Sequence, residues 1–266
     1  MTFLVMTSSL FAQNSTKYLT LADSADYYIA HELWNKAENS LLEALRLEPG
    51  NFHNSLLLSN LGIVQINKEE FDKAINSFTL SLAIAPSSTV VYNNRAHTYL
   101  LLDKIAEAEN DLDASLGLDS IQEWPLQMRG LLYVRDNDDD NAKELLTKLK
   151  SHFPENSMAY SGLATLAVRK GDVDEAMELY KKAIDLMPGD EETLCSYIFL
   201  LIEIEKFTEA RSLLKEALEN NSNNPMFYLL RGYLHRLNYR NEEAQADKKT
   251  AIAKGLDPSY VKSFIP

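Results

Sequence analysis

The chain is poor in cysteine, glycine and positive charge, and each shortage excludes something. Cys195 is the one cysteine among 266 residues, so no disulfide can form within the chain, and a core this long needs none. Nine glycines are scattered, and none builds a P-loop, a dinucleotide-binding loop or a nucleophile elbow. Lysine and arginine number 26 against 39 acidic residues, a net charge of −13. Such a surface repels phosphate backbones, so nucleic acid is disfavoured as a partner. A basic or neutral polypeptide is preferred, although acidity also serves plain solubility. The five histidines (His31, His53, His97, His152, His235) have no metal-like partner at close helical spacing. Neither a cofactor nor a metal is expected.

Long apolar runs are also missing. The stretch TFLVMTSSLF, from residue 2, is too short to span a bilayer. It is followed by Ala12-Gln13, which gives residues 1–12 the outline of the last part of a secretory signal, without the usual positive n-region. Export to the periplasm or beyond is the expectation. The competing reading is a hydrophobic N-terminal cap on a cytoplasmic protein. No cysteine stands at 12–14, so lipid anchoring there is excluded.

What the chain has is a period. Ala37, Ala74, Ala108, Ala142, Ala176, Ala210 and Ala244 are separated by 37 residues once and then by 34 five times. Four residues past each alanine stand Leu41, Phe78, Leu112, Leu146, Tyr180, Leu214 and Lys248. Three further on are Ala44, Ser81, Ser115, Leu149, Ala183, Ala217 and Ala251. Offsets of four and seven lie on one helix face. Pro49, Pro86, Pro154 and Pro188 end that helix in four copies. Twelve residues before the alanine comes a mostly small residue, Ala25, Gly62, Ala96, Gly130, Ala164, Ile198 and Gly232. Three after that come Tyr28, Gln65, Tyr99, Tyr133, Ala167, Leu201 and His235. The small residue lets two helices close up, and the larger one fills the adjoining gap. Each copy is thus a helix pair that buries its apolar face only against its neighbours.

This register resembles the tetratricopeptide repeat family over roughly residues 18–258, most fully at Leu126–Pro154 and Tyr160–Pro188. The match is weakest at Gln65, Ile198 and Lys248. Together with the SLFAQ ending of the apolar stretch, the chain resembles exported repeat proteins of the Bacteroidetes. The resemblance implies an all-α, right-handed solenoid of about seven antiparallel helix pairs, starting near 18, 55, 89, 123, 157, 191 and 225. A short capping helix is expected near Pro258–Phe264, because terminal repeats must cover an apolar edge. One solenoid is expected over 13–266. The longer loop at Gly50–Asn54 absorbs the three extra residues of the first step.

The resemblance also places certain positions of each first helix on the concave face. Asn60 and Asn94 hold one slot in consecutive repeats, and carboxamides can grip an extended backbone without reading its side chains. Arg135 and Arg169 share another slot and are suited to carboxylates. With His97, Gln127 and Trp124 as an apolar anchor, these residues form the expected peptide-binding groove. A merely hydrated concave face is the competing reading. The cationic clamp by which some family members capture chaperone C-termini is not matched: of its positions only Asn60 or Asn94 agrees, according to register. Asp136–Asn141 begins like a calcium loop, but Asn141 replaces the turn glycine and Thr147 the bidentate glutamate, so the run reads as a solvated, helix-capping turn. No catalytic constellation is present. The function expected is a non-catalytic scaffold in a cell-envelope or secretion complex. The alternative is a cytoplasmic co-chaperone or regulatory module.

Overall fold

The computed structural model describes residues 2–221 and 223–266, with side chains from Asn14 onward. The stretch 1–12, read above as a signal remnant, thus falls outside the residues whose side chains are described. Among the described residues there are fifteen α-helices and no strand. They pair as α1 (Thr2–Ala30) with α2 (Trp34–Leu47), α3 (Asn54–Asn67) with α4 (Phe71–Ile84), and α5 (Thr89–Leu101) with α6 (Ile105–Leu118). Then come α7 (Glu123–Arg135) with α8 (Asp139–His152), α9 (Ser157–Lys170) with α10 (Val173–Leu186), α11 (Glu191–Glu203) with α12 (Phe207–Asn220), and α13 (Pro225–Leu237) with α14 (Asn241–Ala253). The short α15 (Pro258–Phe264) stands where the capping helix was expected. The chain divides into two compact units, Met1–Arg129 and Gly130–Pro266.

The alanine stripe is the spine of both units. Ala37, Ala74, Ala108, Ala142, Ala176 and Ala210 are fully buried, and Ala244 is nearly so. The large residue four positions on packs against the small slot of the preceding helix. A Cβ added at Gly62 would stand 2.5 Å from Phe78 Cε1, and one at Gly130 would stand 2.9 Å from Leu146 Cδ2. Both are closer than carbon atoms tolerate without a shift of the facing side chain, so packing rather than backbone conformation favours glycine there.

The three weak matches each have a compensation. Gln65 is buried in the first unit, and its Oε1 accepts from Ser77 Oγ at 2.7 Å, which removes the cost of an unpaired polar group. Ile198 is fully buried within the core of the second unit, beside Leu201, Leu214 and Leu230. Lys248 leaves no apolar side chain to fill the space at Gly232, and Ile265, just past α15, supplies it. A Cβ on Gly232 would be 2.6 Å from Ile265 Cδ1. Val261 and Ile265 close the core formed by Leu229, Ala244 and Ala251, so the capping helix completes the seventh pair from outside the repeat register.

Helix ends follow local chemistry. Before Pro49, Pro86, Pro154 and Pro188 the residues Glu48, Ala85, Phe153 and Met187 leave the helical region, with φ between −127° and −139°. Asn224 and Asp190 accept from the backbone N–H groups of Met226 and of Glu192 and Thr193, capping α13 and α11. Asp138 accepts from the N–H of Asn141 and from its side chain, so the acidic run caps α8. The longer loop is pinned by buried Asn54, which donates to the Glu48 carbonyl at 2.7 Å and accepts from Tyr18 Oη at 3.0 Å.

The turn inside each pair has one geometry, repeated seven times. Five residues before each alanine the backbone is left-handed, at Glu32, Glu69, Asp103, Asn137, Gly171, Glu205 and Tyr239, with φ of 55–61° at the six non-glycine positions and 85° at Gly171. The next N–H bonds back five residues: Leu33 to the Tyr28 carbonyl, Glu70 to Gln65, Lys104 to Tyr99, Asp138 to Tyr133, Asp172 to Ala167, Lys206 to Leu201 and Arg240 to His235. This closure satisfies carbonyls that the ending helix leaves open.

Candidate peptide-binding surfaces

The polar slots of the first unit lie along α3, α5 and the start of α7. Asn60 is partly exposed and donates to Asp26 Oδ1 at 3.1 Å, a link between successive repeats. Asn94, one repeat on, is likewise half-buried. The adjacent Asn93 donates to Gln122 Oε1 at 3.0 Å, while its own buried Oδ1 has no partner among the described residues. His97 is exposed and meets Trp124 edge to face, with ring centroids 6.1 Å apart. Gln127 lies half-buried one turn beyond Trp124. The structure therefore brings His97 and Trp124 into contact and couples Asn60 to an acid.

The two arginines belong to the second unit and are already engaged. Arg135 places Nε and Nη2 on the Asp136 carboxylate at 2.8 and 3.1 Å. Arg169 reaches back one repeat, donating to Asp139 Oδ1 at 2.6 Å and to the Val134 carbonyl at 2.8 Å. Both stay solvent-exposed, so these pairs are exchangeable rather than fixed.

Three arginines engaged by carboxylates, and two cavities, were not read from the sequence. Arg95 holds Asp111 through two bonds of 2.8 and 2.7 Å, and Arg231 holds Asp247 through two of 2.9 and 2.7 Å. Hydrogen bonding to the carboxylate raises the basicity of both guanidinium groups beyond its ordinary value, against the opposing effect of burial. The two pairs occupy the same slots, thirteen before and three after the repeat alanine, and that shared spacing was a visible signal. Arg129, buried, spans Asp113 at 2.8 Å and Glu109 at 2.9 Å.

Both cavities open on first helices of the second unit. One, about 410 Å³, lies among α11, α13 and α15 and is floored by Cys195, Phe199, Leu229, Leu230 and Phe264. The other, about 400 Å³, lies along α7, α9 and α11, with Met158, Thr165 and Tyr180 in its wall. Burial and then the nearby Glu191, Asp190 and Glu192 carboxylates push the Cys195 thiol up to about 12. It stays protonated at neutral pH, and a thiol is a poor nucleophile. No cluster of three metal-type ligands occurs among the described residues.

Comparison with known proteins agrees with the register. A family model described as tetratricopeptide repeat matches residues 131–233, a second of the same description matches 90–121, and together they take in half the chain. The human Protein O-mannosyl-transferase TMTC3 is 24% identical over 229 residues, which is 85% of this chain and 22% of that protein. The chain spans less than half the length of the first curated relatives it matches. Among solved structures, a tetratricopeptide repeat protein from Parabacteroides merdae ATCC 43184 superposes with a TM-score of 0.73 at 26% identity, covering 94% of this chain and 98% of that one. YrrB, described as a TPR protein with an unusual peptide-binding site, gives 0.57 at 15% identity over 70% of this chain and 95% of its own, a likeness of fold.

Proposed function

Because this chain belongs to the tetratricopeptide repeat family, whose fold generally mediates protein–protein interaction, we propose that it is a non-catalytic scaffold that binds a polypeptide partner on its first helices. The observation that carries this reading is the row of accessible hydrogen-bonding and aromatic side chains on successive first helices. Asn60, Asn94, His97, Trp124 and Gln127 follow one another through the first unit, and Arg135 and Arg169 recur one repeat apart in the second. Carboxamides can serve both the N–H and the C=O of an extended backbone, and the His97–Trp124 pair offers an aromatic anchor. Arg135 and Arg169 would exchange Asp136 and Asp139 for carboxylates of the partner.

Replacing Asn60 and Asn94 together by alanine should weaken partner binding by about 1–3 kcal/mol through lost hydrogen bonds. Crosslinking in the native host followed by pull-down supplies the partner, and titration of wild-type and variant protein measures the loss. Unchanged affinity in the double variant, with loss in a variant of the second helices, would move the interaction off these positions. We place the scaffold in a cell-envelope or secretion complex, on the signal-like character of residues 1–12. The alternative of a cytoplasmic co-chaperone or regulatory module predicts that the native protein retains Met1–Ala12, which intact-mass measurement of protein from its host decides.

A further inference from the structure

Two neighbouring cavities of the second unit share a wall. Glu192 and Ser196 line both of them. Glu192 is exposed, and its carboxylate makes no ion pair or hydrogen bond among the described residues. The other acids nearby are committed. Glu191 accepts from Asn221 Nδ2 at 2.6 Å and from Asn224 Nδ2 at 2.7 Å, and Asp190 caps α11. On one side of Glu192 the cavity among α11, α13 and α15 has an apolar floor ringed by aromatics, with Glu191 and Asn224 at its edge. Phe199 and Phe264 meet edge to face at 5.9 Å, and Tyr260 meets Phe264 at 5.4 Å. Phe199 and Tyr260 remain 37% and 45% exposed, so they form a rim rather than core. On the other side the lining turns mixed, with Met158, Ser161 and Thr165; its one cation, Arg135, is paired with Asp136.

An apolar cavity beside an uncompensated carboxylate, on a protein of net charge −13, selects its ligand by two features at once. A bulky apolar side chain fills the cavity, and a neighbouring cation meets the carboxylate. We propose that these two cavities, with Glu192 between them, are a docking site for an extended segment of another protein that presents a large apolar or aromatic side chain next to a lysine or arginine. The apolar side chain enters between Phe199, Met226 and Phe264. The cation pairs with Glu192, and the following backbone continues past Ser196 toward Ser161 and Thr165. The site rests on the scaffold reading above but uses different residues from Asn60 and Asn94.

The test uses the full chain and a phage-displayed library of random dodecapeptides. Enriched peptides should carry an aromatic, leucine or methionine adjacent to lysine or arginine. A fluorescent copy of an enriched peptide should lose at least ten-fold in affinity against Glu192→Lys and against Phe199→Ser. Its own lysine-to-glutamate version should regain binding to Glu192→Lys. Both positions are solvent-accessible, and unchanged thermal melting checks that the variants fold. Enriched peptides without a basic residue, an undiminished affinity for Glu192→Lys, or no enrichment at all would overturn the site. Peptides that lose binding only in the Asn60/Asn94 double variant would overturn it while leaving the scaffold reading standing. A crosslinking pull-down that recovers no partner would count against the scaffold reading itself.

Discussion

Single substitutions at two of the intra-repeat turns should shift stability in opposite directions. Tyr239 and Gly171 occupy equivalent left-handed positions in the second unit, at φ 60° and 85°. Tyr239 is 91% exposed and contributes almost nothing by burial. A side chain in the left-handed region costs roughly 1–2 kcal/mol, because Cβ crowds the following carbonyl oxygen. Glycine avoids that cost but loses more backbone freedom on folding, by about 0.5–1 kcal/mol. Tyr239→Gly should therefore stabilise by about 0.5–1 kcal/mol. Gly171→Ala should destabilise by a similar amount. A Cβ at Gly171 would meet nothing within 4 Å, so this loss would be conformational and not steric. The hydrogen bonds that define the turns, Asp172 N–H to the Ala167 carbonyl at 2.9 Å and Arg240 N–H to the His235 carbonyl at 2.9 Å, do not involve the substituted side chains. Urea denaturation followed by far-ultraviolet circular dichroism measures both variants. Midpoints that move the same way, or a stabilised Gly171→Ala, would refute the claim that the turn backbone rather than side-chain contacts governs these positions.

Asp111→Ala leaves the Arg95 guanidinium half-buried without its two-pronged partner and should cost about 3 kcal/mol in chemical denaturation, whereas Arg95→Met with Asp111→Leu should recover much of that. Ile265→Ala opens a hole against Gly232 and should cost about 2–4 kcal/mol, with earlier hydrogen exchange in α13 and α14 than in α9 and α10. Tyr197 is buried and donates to Glu209 Oε1 at 2.8 Å, and burial first, then that carboxylate, raises its ionisation above the ordinary 10.0. The fold holds the neutral phenol, so its contribution is complete below pH 10 and is lost as pH rises further, when only the unfolded chain ionises. Tyr197→Phe should flatten the alkaline fall in the denaturation midpoint.

Much of the fold was legible because a repeat writes its packing many times. One small residue in a helix is ambiguous; an alanine recurring at one spacing, with large residues four further on, states which faces meet. The helix starts, the proline stops and the capping aspartate and asparagine follow from neighbours in the chain, so local chemistry was enough to place them. The left-handed turns were less legible. Gly171 marks one, and Asp103 and Asn137 tolerate the left-handed region, but at Glu32, Glu69, Glu205 and Tyr239 the closing hydrogen bond imposes a conformation those residues do not prefer.

The sequence by itself determined the helix pairs, their number and their contact faces, because all of these depend on spacing along one chain. It also nominated polar slots on the first helices by their recurrence. Only the tertiary structure decided which of those side chains are committed to one another. Arg169 turns to Asp139 of the preceding repeat, and Arg135 turns to its own neighbour Asp136. It alone showed that Ile265 replaces the apolar residue missing at Lys248, and that α11, α13 and α15 leave an apolar cavity beside the unpaired Glu192. Such features are made by atoms brought together across repeats and from outside the register, and a periodic pattern carries no record of a contact that occurs once.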